Sequence, residues 1–393
     1  MPAIPRKAVA PRRIARDEAR AFLVGQHGLN RIVHPPGAEG ARALLTHLRC
    51  IQLDPLDPWG TNADLVALAR IDELSRGDLY RHLYPGHAFE HFAKERCLLP
   101  AASFAWYRDQ AAATPWWRTS ERLKRLPAGL IEEVLAEIRE RGPITADELS
   151  DRGRVDPLDW SGWKGTGRAV SMAIEVLWTR CQIVVCGRTI RGKQYDTPDR
   201  AFPSAGTKPA GDFARWAILD RVEAAGLLAR AGGPTWSMLS EARTSPLPDR
   251  LIEEGLLEEV LVEGSSRPYL APAGFRHRVY PECDDRMRIL GPLDPLLWDR
   301  GLVRQVFGFD YVWEVYKPAD QRRWGWYVCP LLHRGQLVGR IEGAVDGNVL
   351  RVQNVWRERN TTLDDAALGE ALQRHARACG VERVARPRRV RVS

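Results

Sequence analysis

Gln52 and Asp54 lie in the stretch RCIQLDPLDPWG (49–60), an amide and a carboxylate separated by one apolar residue. Ile51 and Leu53 alternate with them, so the run predicts a short strand with one polar face. Pro55 and Pro58 stop any strand or helix from continuing. On an extended strand the two α-carbons stand roughly 6.5–7 Å apart, and both side chains converge on one water or one small group. A carboxylate there polarises water or steadies a cation, and an amide orients the water without adding charge, which is the chemistry of hydrolysis. The alternative is that Asp54, just before Pro55, organises a turn. Asp-Pro pairs recur at Asp57, Asp156 and Asp294, as that alternative expects.

The other reactive residues form no comparable constellation. The chain has no P-loop, no dinucleotide-binding glycine pattern, no H-E-x-x-H and no G-x-S-x-G. GWKGTGR (162–168) lacks the P-loop spacing, and Lys164 is expected to contact phosphate at a helix N-terminus. His82, His87 and His91 suggest a metal, but Pro85 and Gly86 break the helix before them and no third ligand is evident, so no metal or cofactor is expected. The seven cysteines are scattered and include no C-x-x-C, which argues against zinc ribbons, iron–sulfur clusters and disulfide scaffolds and for a reducing cytoplasm.

At 393 residues, with a 44% apolar and 27% charged composition, the chain is expected to form a soluble protein of several domains. No run is long and apolar enough to span a bilayer. The N-terminal MPAIPRKAVAPRR lacks the apolar centre of a signal peptide and reads as a flexible basic arm. The net charge is +8, and of 58 basic residues only seven are lysine. The positive balance favours a nucleic-acid partner, and arginine's planar fork suits phosphate.

Around the motif, helical periodicity marks 15–29 and 37–50, followed by the short strand and a segment rich in aromatics and histidines. A clearer unit follows. GLIEEVLAEIRERGP is an amphipathic helix stopped by Gly142–Pro143, and RAVSMAIEVLWTRCQ is another. IVVCGRTIRGKQYDTP then alternates as a hairpin with a basic tip. These are the parts of a winged helix-turn-helix. A weaker version recurs in 212–272, unless the three helical segments are unrelated. Residues 324–358 alternate as strands around the turn pairs Arg334–Gly335 and Asp346–Gly347, and a helix and a basic tail close the chain.

The expected fold is therefore α+β: tandem winged helices followed by a small C-terminal antiparallel β-barrel. The expected divisions are an arm (1–14), winged-helix domains at 15–125, 126–205 and 206–285, a barrel at 286–360 and a terminal helix and tail at 361–393. Lys164, Arg188, Arg191, Lys193, Arg334 and Arg340 are the expected phosphate contacts.

IQLDP, FEHFAKERCLLP (89–100), LGPLDPLLWDRGLVRQVFGFDYVWEVYKPA (290–319) and RRWGWYVCPLLHRGQLVGRIE (322–342) together resemble the winged-helix DNA glycosylases of the AlkZ/YcaQ type. Four separated motifs agree in order, from about residue 15 to 360. The resemblance implies release of N7-alkylated purines and unhooking of interstrand crosslinks. It also implies a catalytic Gln–apolar–Gln or Gln–apolar–Asp signature; Gln52-Leu53-Asp54 matches the second form, that of the YcaQ branch. Where many members carry Arg-x-His, this chain has TNADLVALARI, so Asn62 and Asp64 either replace those contacts or mark a different substrate. No lysine adjoins the motif in sequence, so water rather than a Schiff-base amine is the expected nucleophile. The implied protein is a monomeric, metal-independent, monofunctional glycosylase on duplex DNA. Its rival is a non-catalytic winged-helix regulator, which needs no Gln–apolar–Asp face and is usually dimeric.

Overall fold

The computed structural model describes residues 11–113, 118–158, 166–203, 211–387 and 389–393, without the side chains of 112 and 113. One arrangement occurs three times. A two-residue strand follows a helix, and later joins the second strand of an antiparallel hairpin. Ile51–Gln52 follows the helix Gly37–Leu48 and pairs with Glu95–Pro100 of the hairpin begun by Ala88–Ala93. Ile144–Thr145 follows Leu130–Arg141 and pairs with Gly192–Asp196, the partner of Val184–Thr189. Leu228–Ala229 follows Phe213–Ala225 and pairs with Tyr269–Pro272, the partner of Leu257–Val262.

Each repeat is too small to bury its own apolar faces, and the units share cores. Leu44, Ile51 and Val66 of the first pack with Val134, Ile138 and Leu177 of the second. Phe89, Phe104 and Tyr107 pack with Phe213, Ile218 and Leu270 of the third. The first cluster straddles the division expected at 125/126, and the second straddles that at 205/206 as well.

The end of the chain differs from the expected closed antiparallel barrel. Its six strands form a curled half-barrel in the order Arg288–Ile289, Val328–His333, Gln336–Asp346, Val349–Arg357 and Arg383–Ala385, with Arg391–Val392 also on Val349–Arg357. The last two strands run parallel to Val349–Arg357, so the sheet is mixed and its path stays open. The expected tail is thus partly strand, because the backbones of 383–385 and 391–392 satisfy an otherwise unpaired sheet edge. At the other end, Arg12–Ile14 of the expected arm pairs in parallel with Leu257–Val262. No helix among the described residues is long and apolar enough to cross a membrane.

Candidate active site

Arg49 ends the helix Gly37–Leu48 with a left-handed backbone (φ +64°), and the chain turns directly into Ile51–Gln52. Ile51 is buried in the shared core, and Gln52 stands opposite Cys97. The Leu53 amide still bonds to the Arg96 carbonyl at 2.9 Å, after which the strand ends. Asp54 lies beyond it, with its Oδ1 accepting from the Leu56 amide at 2.9 Å. The turn-forming reading of Asp54 is therefore correct as local geometry, and the polar face expected on one strand is split between a strand end and a turn. The second carboxylate oxygen accepts no hydrogen bond among the described residues. Leu53 packs partly against the core.

Asp54 is half-buried and has no ion-pair partner among the described residues. Burial raises its pKa above the ordinary value, against the Leu56 hydrogen bond. Its charge also reaches two tyrosines whose hydroxyls are held up chiefly by their own burial, Tyr316 and Tyr327. Tyr316 is 82% exposed, whereas the Tyr327 hydroxyl is buried without a partner. Trp313 meets both rings edge-on, with centroids at 5.7 and 6.2 Å. This aromatic group comes from a loop organised by buried Glu314, which accepts from the amides of Arg323 and Trp324 at 3.1 and 2.8 Å and from Lys317 at 2.8 Å.

Gln52 is almost fully buried, and its Oε1 accepts from Lys94 Nζ at 2.6 Å. Lys94 joins the two hairpin strands and folds back beneath them, 5.6 Å from the Trp298 ring centroid. Burial pulls its pKa down to about 8. A lysine does adjoin the motif in space, which corrects the premise drawn from the sequence. Sequence reasoning gave no role to Lys94, Tyr316 or Tyr327; the only signal was that all three lie inside the motif stretches 89–100, 290–319 and 322–342.

Asn62 and Asp64 turn inward. Asn62 Nδ2 donates to the Gln52 carbonyl at 2.8 Å and its Oδ1 accepts from the Leu293 amide at 2.9 Å, tying the motif strand to 291–294. Asp64 forms a capping box with Thr61 at the start of the helix Asn62–Leu68 and also accepts from the Gly77 amide. Both are fully or nearly fully buried, so neither substitutes for a substrate contact.

The expected phosphate contacts separate. Lys164 lies outside the described residues. Arg188 and Lys193 both ion-pair with Glu90, which also accepts from Tyr84. Burial pushes the Glu90 carboxyl up, but the two cations outweigh it and hold the pKa below the ordinary value. Arg188 also lies over the Tyr80 ring at 4.4 Å. These two residues thus clamp the second hairpin to the first. Arg340 is a correction: it is 1% exposed, pairs with Glu358, and stacks between Phe309 and Trp324 at 4.1 and 4.2 Å. Arg191 and Arg334 remain exposed, paired with Glu148 at 3.3 Å and Asp285 at 2.7 Å.

The histidines go to separate tasks: His91 bonds the Thr179 carbonyl at 3.1 Å and His87 meets Arg42 at 3.2 Å. No group of potential metal ligands occurs among the described residues. Two cavities of about 560 and 520 Å³ lie elsewhere and include neither Gln52 nor Asp54.

A family model described as DNA glycosylase AlkZ-like matches residues 45–378. Among solved structures, the DNA glycosylase AlkZ of Streptomyces sahachiroi is similar over 97% of this chain and 100% of its own, with a TM-score of 0.63 at 18% identity. That likeness is one of fold. The family match spans most of the chain, the motif strand and four of the six half-barrel strands included, and the chain belongs to the AlkZ-like family of DNA glycosylases.

Proposed function

We propose that this member hydrolyses the N-glycosidic bond of N7-alkylated purines in duplex DNA, and unhooks interstrand crosslinks made through them, with Asp54 and Gln52 as its catalytic pair. The observation that carries the reading is Asp54: a half-buried carboxylate with no counter-cation among the described residues, beside an exposed tyrosine. Alkylation at N7 makes the purine cationic, so it leaves as a neutral base and the positive charge passes to the sugar. A carboxylate with no cation of its own stabilises that oxocarbenium-like state. It then takes the proton of the water that adds to the anomeric carbon. The aromatic group of Trp313 and Tyr316 offers a face to which a cationic base is attracted.

Water is the nucleophile in this scheme, and the enzyme is monofunctional and needs no metal. The Lys94 amine is engaged with the Gln52 amide rather than presented to a sugar. An open site suits crosslinks, since a purine tethered to the opposite strand cannot swing into a closed pocket as an ordinary flipped base does. The three repeated units are read as tandem winged helices acting as a monomer on DNA in the cytoplasm. Incubation with duplex carrying N7-methylguanine, followed by detection of free base, tests the reading. No release above the uncatalysed rate, together with tight binding to one palindromic sequence, would replace it with the regulator.

A further inference from the structure

A lysine at a hairpin tip normally extends into water. Lys94 instead is 8% exposed, and its ammonium forms no ion pair among the described residues. The charged groups that bear on it do not compensate: Arg300 opposes its protonation, and Cys97, Glu95 and Cys50 favour it only in part, while burial outweighs them all. A buried cation without a counter-ion lowers stability, and the Trp298 ring 5.6 Å away offsets this only in part, since burial still pulls the lysine's pKa down. Its one hydrogen bond among the described residues goes to Gln52 Oε1.

An ammonium has donors and no acceptor, so only the amide oxygen of Gln52 can face it. The Nε2 group then points the other way. That nitrogen donates to nothing among the described residues and is not sealed from solvent.

We infer that Lys94 is a positioning residue that locks the Gln52 amide in one orientation, making Gln52 a hydrogen-bond donor, and never an acceptor, toward the damaged nucleotide. The inference deepens the proposed function and rests on it for the identity of the nucleotide. It divides the work of the motif. Asp54 accepts the proton of the attacking water, and Gln52, polarised by the cation behind it, donates to an acceptor atom of the substrate.

The test combines rate, stability and a signal independent of substrate. Gln52→Glu keeps the size and the Lys94 contact but presents only acceptors, and it should lose as much single-turnover base release as Gln52→Ala. Lys94→Met should lose roughly 10- to 100-fold, the size of an orienting contact, yet melt at the same temperature as wild type or higher. In the nitrogen-15 spectrum the Gln52 side-chain amide, assigned by its loss in Gln52→Ala, should shift with a midpoint near pH 8 and stay fixed in Lys94→Met. Cys97 remains in that variant, so the difference belongs to Lys94. Wild-type release by Gln52→Glu or by Lys94→Met, or an amide signal that does not titrate, overturns the inference. If wild type itself releases no base, the glycosylase reading of the substrate falls, while the amide titration still decides the Lys94 contact.

Discussion

Arg70 and Asp294 form a two-pronged ion pair with no solvent exposure, Nη1 to Oδ2 at 2.7 Å and Nη2 to Oδ1 at 2.9 Å. They are 224 residues apart in sequence. Arg70 also donates to the His27 carbonyl at 2.6 Å, so one guanidinium fastens three segments. Together with Asn62 it fixes the segment 291–294 against the strand that carries Gln52.

Breaking that pair should cost far more than replacing it. Asp294→Ala strands a buried guanidinium and should lower unfolding free energy by about 3–5 kcal/mol, whereas a double change of Arg70 and Asp294 to apolar residues of similar volume should recover most of it. Urea denaturation of the three proteins measures both. Equal losses for the single and double variants would show that the pair's neighbours, rather than the unpaired charge, set the cost.

Asp54→Asn keeps shape and removes charge. Single-turnover release of N7-methylguanine should fall by about 100- to 10,000-fold with DNA affinity unchanged. Gln52→Ala should cost less, because a cationic base departs readily. Leu53→Ala should act mainly on stability. A wild-type rate for Asp54→Asn would leave Asp54 as a turn residue only.

The raised pKa of Asp54 fixes the direction of the pH dependence. A carboxyl whose folded pKa lies above its unfolded value opposes folding while ionised, and that penalty is relieved as pH falls through the folded pKa. Asp54→Asn should therefore be neutral to stabilising at pH 7, and lose that advantage in acid. Activity should show the opposite trend, with an acid limb in kcat lying above the range of an ordinary aspartate. A melting temperature lowered at pH 7 by Asp54→Asn would contradict this.

Lys94 supplies a second pH signature. Its folded pKa of about 8 lies below the ordinary 10.5, so the unfolded chain binds more protons between those values and stability should rise with pH across that window. The stabilising effect of Lys94→Met should accordingly be full below pH 8 and shrink above it. Denaturation at pH 7 and pH 10 reads the difference directly.

The basic residues should divide by exposure. Arg191→Ala and Arg334→Ala should each flatten the log–log salt dependence of duplex binding by about one unit if they meet phosphates. Arg340→Ala should leave that slope alone and lower stability, since its guanidinium pairs with Glu358 inside the protein. Glu90→Gln should loosen the second hairpin from the first and cost about 3–5 kcal/mol by leaving two cations unpaired. An Arg340 variant with wild-type stability and a changed slope would reverse this division.

Much of this protein is determined by local pattern. Alternation and prolines mark a short strand beginning at Ile51 that ends before the prolines, though Asp54 falls in the turn after it rather than on the strand, and helical periodicity marks the repeated units around it. Four separated motifs carry the family likeness. These features are legible because they depend on neighbours a few residues apart. Which strand a two-residue segment joins is not so encoded, and only the tertiary structure decided it. Pairing of Gln52 with Cys97 brings the hairpin turn, and with it Lys94, to the amide. Thr145 occupies the same place in the second unit, where it donates to Glu148 at 2.9 Å, while the lysine of that hairpin, Lys193, pairs with Glu90. The same limit governs the basic residues. An arginine reads as surface charge until a distant carboxylate meets it, as Glu90 meets Arg188 and Glu358 meets Arg340. Burial of a charge depends on contacts made by chain closure, and those contacts decided which cations face water and which hold the site together.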